Sequence, residues 1–524
     1  VTATTVPVAI SRRRPRRRRL PALLAVPAAV AAVVSLLPLW YLVDRAGSQG
    51  WGAVVDELWQ RRTLDLVGRS VALTVTVTVA CTVIGVGAAW LVARTDVPFP
   101  RLWRIALGLP LAVPSYVSAF AWVSWQPELA GFRGAALVLV LASYPYSYLA
   151  ALGALTRVDP QAEEVARSLG QRPGAVALRC TLPQIRPAVA AGALMTSLYV
   201  LSDFGAVATM RHEVFTWVIY GAYRAGFNPT RAAVLALPLV LLAAVLTVGE
   251  HRARGSSVLH RIGAGAGRAA KPLPLGAWRY PAAAALTAVV GAAIGFPLAM
   301  VAYWMAQGVG TAFDPGALVS ASWATVQVSG AAALVAAALA IPLGTLAARW
   351  QRNPMVRAAE GATWVVHALP GIVLAISFVY LGVRLVPDLY QRTPLLVAAY
   401  VVLFLPLGAA AVRTAVLQSP ERLEEVARSL GDSPRRALRR ITVPVAWPGV
   451  LTGAALVFLT SSKELPATLL LHPTGMDTLA TAMWQHTTVS DYGAAGPYAV
   501  ALVVLAAVPT ALLSARASRV DHPG

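Results

Sequence analysis

Apolar runs about as long as a bilayer is thick recur along this chain, and no other feature narrows its fold so far. A spanning helix needs roughly 20 mostly apolar residues. Runs of that kind cover 20–43, 68–93, 105–125, 134–156, 188–210 and 232–249; after a polar gap come 281–305, 323–348, 365–383, 394–412, 449–471 and 497–514. Composition agrees, with 57% hydrophobic and 13% charged residues. Soluble domains carry about 25% charged residues, so this chain cannot cover a water-facing surface of ordinary size. The expected fold is an all-α polytopic membrane protein with about twelve transmembrane helices, six on each side of the gap.

The net charge of +21 sorts by side of the membrane. With the N-terminus inside and the loops alternating, inside segments hold 33 of the 44 lysines and arginines. Such an excess marks cytoplasmic loops, so topology accounts for the charge and nucleic acid is not an expected partner. The basic run Arg12–Arg19 resembles a signal-peptide n-region. The apolar stretch after it, to Val43, exceeds the usual h-region of about 7–15 residues, and an uncleaved first span is expected. Cys81 and Cys180 fall in a span and an inside loop, which implies no disulfide framework.

The octapeptide EEVARSLG occurs twice, at Glu163–Gly170 and at Glu424–Gly431, 261 residues apart. Other pairs keep the same order: LTVTV at Leu73–Val77 with ATVQV at Ala324–Val328, and PSYVSAF at Pro114–Phe120 with PGIVLAI at Pro370–Ile376. The Gly- and Arg-rich break at 250–280 has the composition of a flexible inside linker. The chain therefore divides into a basic tail (1–19), a first half (20–249), the linker (250–280), a second half (281–515) and a short tail (516–524). An even number of spans per half keeps both in the same orientation, giving two parallel six-helix repeats. That plan also suits a facilitator-type secondary transporter, so the loops must decide.

Each octapeptide sits in a loop, 159–187 or 419–448, with its own helical punctuation. Asp159–Pro160 and Ser419–Pro420 supply an N-cap residue followed by proline at the first helical position. Gly170 and Gly431 suit a left-handed C-cap. A second short helix is expected from Pro173 or Pro434, ending at Pro183 or Pro444 before the next span.

Here the residues carry a resemblance. Glu-x-Ala, three residues, Gly, nine residues, then x-x-[LV]-Pro resembles the EAA loop of type I ABC-transporter permeases. The matching positions are Glu164, Ala166, Gly170, Leu182 and Pro183, then Glu425, Ala427, Gly431, Val443 and Pro444. Val165 and Val426 stand where the motif has its first Ala, and Cys180 stands where it favours Ile, which the second copy keeps as Ile441. The resemblance covers nearly the whole chain and implies the type I ABC importer transmembrane fold with two fused halves. It also implies that Glu163, Glu164, Ala166, Gly170 and Pro183, with Glu424, Glu425, Ala427, Gly431 and Pro444, couple to ATPases. The implied partners are two cytoplasmic ATP-binding subunits, an extracytoplasmic solute-binding protein and membrane lipid. The implied location is the bacterial inner membrane, with both termini cytoplasmic.

ATP hydrolysis is expected on another chain, and no cofactor is expected on this one. The only lysines, Lys271 and Lys463, do not complete a GxxxxGK[ST] phosphate loop. HEVFT at His212–Thr216 lacks the second histidine of a zinc-protease pair, and DFG at Asp203–Gly205 lacks the rest of a kinase. Neither a catalytic nor a metal-ligating set is expected.

Ionisable groups inside spans are costly and usually face a pathway or a partner. Asp203, expected in the fifth span, has Glu464 at the 261-residue offset, preceded by Lys463. Two readings stand: all three line a translocation pathway, or Lys463 neutralises a carboxylate near the outer interface. Tyr144, Tyr146, Tyr148 and His367 are expected to be packing or interfacial residues. The segments Leu201–Tyr223 and Lys463–Trp484 resemble the ferric-iron importer permeases more than the thiamine ones. The expected function is thus the permease subunit of an ATP-driven importer for ferric iron. The alternatives are thiamine, a phosphonate or another small solute, and, further off, a proton-coupled secondary transporter.

Overall fold

The computed structural model describes residues 20–48, 50–158, 160–224, 228–254, 272–308, 314–367, 369–418 and 421–520. Among these, nine helices are long and apolar enough to cross a membrane. In the first half they are Ala22–Gly47, Arg61–Arg94, Phe132–Leu155, Gly174–Ser202 and Pro229–Thr247. In the second half they are Gly276–Ala306, Pro315–Arg349, Thr393–Gln418 and Val443–Ser462. The third place in each half is a broken pair: Pro100–Ala112 with Ser115–Trp125, bent by 87°, and Pro354–His367 with Gly371–Leu385, bent by 105°. A shorter apolar helix, Tyr492–Ala507, takes the last place. Counting each bent pair as one span gives eleven of the twelve expected among the described residues, with the shorter helix at the twelfth position; the third is bent near a right angle rather than straight.

Proline explains the bends. Pro110 and Pro114 in the first half, and Pro370 in the second, lack the N–H that would continue the helical ladder, and such sites kink or end a helix. Within each half the second, fourth and fifth spans pack on one another. At the crossing of Arg61–Arg94 with Phe132–Leu155, a Cβ on Gly85 would lie 2.6 Å from the Tyr148 backbone nitrogen, so only glycine allows that approach. The outward stripe Val71, Val75, Val79 and Val83 is exposed, as a lipid-facing surface at i, i+4 spacing should be.

The first span of each half crosses onto the other half. Ala22–Gly47 packs on Pro315–Arg349 and on both arms of the second half's broken span. Tyr41 stacks on Tyr380 at 4.4 Å, and Ser377 Oγ donates to Pro38 O at 3.2 Å. Reciprocally, Phe296 meets Trp122 at 4.1 Å, and Trp304 Nε1 donates to Ser124 Oγ at 2.9 Å. The halves are thus interlocked by an exchange of first helices, and no feature of the sequence marks that exchange.

Two expectations are corrected. The second short helix does not stop at Pro183 or Pro444. It runs from Pro173–Val176 through a π-helical turn, Ala177–Thr181, into Leu182–Ser202; the second half does the same through Leu438–Thr442. In the widened turn Leu182 N–H donates to Ala177 O, five residues back. That shift accommodates a proline at the next position, which has no N–H to place. The fifth spans are also shorter than their apolar runs: they end at Ser202 and Ser462, so Asp203 and Glu464 lie at helix breaks rather than within helices.

Candidate coupling and gating sites

The two octapeptides fold alike. Each forms a short helix, Pro160–Ser168 or Glu421–Ser429, closed by glycine at positive φ, +78° at Gly170 and +95° at Gly431. In the first, Gly170 N–H donates to Arg167 O at 2.9 Å and Gln171 N–H to Ala166 O at 3.1 Å. In the second, Gly431 N–H donates to Arg428 O at 3.2 Å and Asp432 N–H to Ala427 O at 3.0 Å. These paired bonds make a Schellman cap, which needs the left-handed residue that glycine supplies without strain.

The amphipathic faces then separate the two glutamates. Glu164 is exposed, whereas Glu163 is buried together with Ala166. Adjacent residues lie about 100° apart around a helix, and here that rotation carries Glu163 onto the face that meets the spans. The side chain of Glu425 lies outside the described residues. Val165 and Leu169 are 59% and 76% exposed, and Val426 and Leu430 are 54% and 83% exposed. Each loop therefore presents an apolar i, i+4 pair at its surface, beside the exposed Glu164 in the first half. Pro183 and Pro444, also exposed, sit at the start of the fifth spans.

The inward acids, Glu163 buried and Glu424 partly buried, have partners that the sequence did not single out. Glu163 lies 3.3 Å from Arg94 Nη2 and accepts from Thr181 Oγ1 at 2.7 Å. Glu424 lies 3.0 Å from Arg349 Nη2. Arg94 and Arg349 are each the last residue of a second span. That shared position was the available signal.

At the breaks, each carboxylate caps the short helix that follows. Asp203 Oδ1 accepts from Ala206 N at 2.9 Å and Val207 N at 3.4 Å, and its Oδ2 accepts from Ser115 Oγ. Glu464 Oε1 accepts from Ala467 N at 3.2 Å. The position equivalent to Ser115 is Gly371, where an added Cβ would come within 2.5 Å of Glu464 Oε1. Aspartate with serine in one half thus fills the space that glutamate with glycine fills in the other. Lys463 does not neutralise either acid: its Nζ donates to Leu111 O at 2.7 Å, across the interface onto the first half's broken span. The residues after the breaks, Phe204 and Leu465, enter one buried cluster with Tyr116, Phe120, Leu469 and Trp484, and Phe204 lies 5.3 Å from Trp484. The two breaks therefore meet at a buried aromatic cluster drawn from both halves.

Tyr144 and Tyr148 are fully buried, and His367 Nδ1 contacts Leu403 O at 2.5 Å. In the segment after the fifth span, Glu213 pairs with Arg69 of the second span at 3.0 Å, and His212 packs edge-on to Phe132, the first residue of the fourth, at 5.6 Å. Burial, then the nearby Arg69, holds the His212 pKa below its ordinary value, with Glu213 opposing. Among the described residues no cluster of three or more His, Cys, Asp or Glu could hold a metal.

Two interlocked halves, each with a capped short helix after its fourth span, define a membrane-embedded transport component, and the comparison with known families agrees. The chain belongs to the family described as the binding-protein-dependent transport system inner membrane component, which matches residues 82–251 and again 340–521. It is a multi-pass inner-membrane protein and a transport component rather than an enzyme.

Among its relatives is the Fe(3+)-transport system permease protein FbpB 2 of Haemophilus influenzae, 33% identical over 91% of this chain and 95% of that protein. The molybdenum transport system permease protein ModB of Mycobacterium tuberculosis is 30% identical over 44% of this chain and 93% of its own length. The sulfate transport system permease protein CysW of Escherichia coli K12 is 25% identical over 35% of this chain and 69% of that protein. Nearly the whole molybdenum permease thus corresponds to less than half of this chain, as expected if two such units are fused here.

Proposed function

We propose that this chain is the permease subunit of a ferric-iron importer. The observation that carries the reading is the similarity to an Fe(3+)-transport permease across both halves, where the quoted molybdenum and sulfate relatives match less than half of the chain. In this reading an ATPase subunit docks on each capped helix, with Val165 and Leu169, or Val426 and Leu430, as its apolar footing. Glu164 and Glu425 supply charge-assisted hydrogen bonds. Both termini are cytoplasmic, a solute-binding protein delivers iron on the opposite side, and ATP is used by the partner chains.

ATP-driven approach of the two short helices would rotate the halves as rigid bodies and part the aromatic cluster around Phe204 and Trp484. The carboxylates of Asp203 and Glu464 are hard oxygen groups suited to a hard cation. They flank the cluster without forming a high-affinity site, and weak contacts favour passage. The test is uptake of radiolabelled ferric iron, molybdate and sulfate under iron limitation, in cells with and without the gene. Loss of iron uptake alone is expected; loss of an oxyanion instead would move the substrate while leaving the permease intact.

A further inference from the structure

The inward glutamate of each octapeptide ties the short helix to the spans. Around Glu163 three spans converge. Arg94, ending the second span, lies with Nη1 3.4 Å from Oε2 and Nη2 3.3 Å from Oε1. The same Nη2 donates at 3.1 Å to the carbonyl of Leu155, the last residue of the fourth span. Thr181, at the π-turn opening the fifth span, completes the set. Glu163 and Arg94 are 3% and 4% exposed, so the junction is shielded from bulk water. In the second half Arg349 and Glu424 repeat the ion pair.

The first junction is also fastened to the end of the linker. Leu273 N–H donates to Arg94 O at 2.8 Å, Asp96 N–H to Leu273 O at 3.2 Å, and Leu275 N–H to Asp96 Oδ1 at 2.7 Å. Three residues past Leu273 the span Gly276–Ala306 begins, the one exchanged onto the first half. The end of the linker is therefore strapped to the residue that holds the first short helix.

We propose that Arg94 and Arg349 are positioning residues of the transport cycle. Each clamps its short helix to the end of the second span, so that a push on the helix moves the span instead of bending the loop. The second clamp, with its glutamate side chain 22% exposed against 4% in the first, is the more yielding one. This rests on the reading that the short helices dock the ATPases. A buried carboxylate held by a guanidinium and a hydroxyl has one arrangement, and losing its charge leaves the arginine uncompensated. The clamp is thus the stiff link between a surface that meets a partner and the spans that must move.

The complete transporter, with its ATPase and binding-protein partners, would be reconstituted in liposomes in a background lacking Cys81 and Cys180. Spin labels at 157 and 418 report the loop end, and labels at 224 and 485 report the opposite end. ATP hydrolysis is measured in parallel. In the wild type ATP changes both distances; absence of change at either end would sink the docking reading itself. With Glu163→Gln, hydrolysis and the loop-end change are expected to persist while the opposite-end change falls at least fivefold. Glu424→Gln is expected to give a smaller fall. Arg94→Lys, which keeps the charge but not the two-pronged contact, should be intermediate and serves if Glu163→Gln does not assemble. A wild-type amplitude at the opposite end in Glu163→Gln, or in Arg94→Lys where Glu163→Gln does not assemble, overturns the proposal. So does a parallel loss of hydrolysis and movement at both ends, the pattern of a merely structural residue.

Discussion

The two short helices carry the same eight residues and the same Schellman cap, yet they sit in different surroundings. The first has its inward glutamate sealed at 4% side-chain exposure, with Arg167 a further 3.6 Å neighbour and the linker strapped alongside. The second has its glutamate at 22% side-chain exposure, and the nearby Asp432 is shared by the exposed Arg436 and Arg440 at 3.7 and 3.9 Å. Identical sequence thus fixes local shape and capping, while the anchoring comes from residues far away in the chain. A duplicated motif need not be a duplicated mechanical part.

The strongest way to break this comparison is to remove each inward acid in turn. Glu163→Ala should cost about 3–5 kcal/mol, the scale for orphaning a buried partner. Glu424→Ala should cost less, because water can reach its site. Denaturant titration of the detergent-solubilised chain measures both, and equal losses would erase the claimed asymmetry. The caps should behave oppositely, as equals. Gly170→Val and Gly431→Val each place a β-branched residue at positive φ, at about 1–2 kcal/mol. No neighbouring heavy atom lies within 4 Å of either built Cβ, so the strain is in the backbone alone. The double variant should insert normally and lose most transport per ATP hydrolysed in reconstituted vesicles.

A smaller effect isolates the strap. Leu273→Pro removes the N–H that reaches Arg94 O, a bond worth about 1 kcal/mol. Amide exchange should rise at 94–96 and across 160–170, and stay unchanged across 421–431. Smallest of all is a pH effect near His212. Its folded pKa is depressed, so the unfolded chain binds more protons as pH falls through the ordinary histidine range near 6.5. Stability contributed there is present above that range and lost on acidification. His212→Gln should flatten the difference in a Tm series from pH 7.5 to 5.5.

Much of this was legible because lipid imposes a length. The span positions follow from apolar runs, and the short helices follow from Pro160, Gly170 and their counterparts. The breaks were not legible, because apolar composition continues through Phe204–Ala208 and Leu465–Leu471 after the helix has ended. The exchanged first spans left no trace either: a lipid-facing surface and a helix-facing one are both apolar, so Tyr41 and Phe296 read alike wherever they pack. The orientation of the paired glutamates was equally hidden, since the partner of Glu163 lies 69 residues back. The readings of Asp203 and Glu464 stayed open because a capping acid and a pathway acid look the same in one dimension.

The exchange of first helices also sets an order of birth. Ser124 leaves the ribosome 180 residues ahead of Trp304, the residue it bonds. At about 5–20 residues per second that is a wait of roughly 10–35 s. Pro38 waits longer for Ser377, 339 residues later, or roughly 20–70 s. During these intervals the broken span of the first half, and then the first helix itself, must rest against lipid or an insertion chaperone. The first half therefore cannot reach its final packing until the second has entered the membrane, and the linker is the interval through which that delay is set.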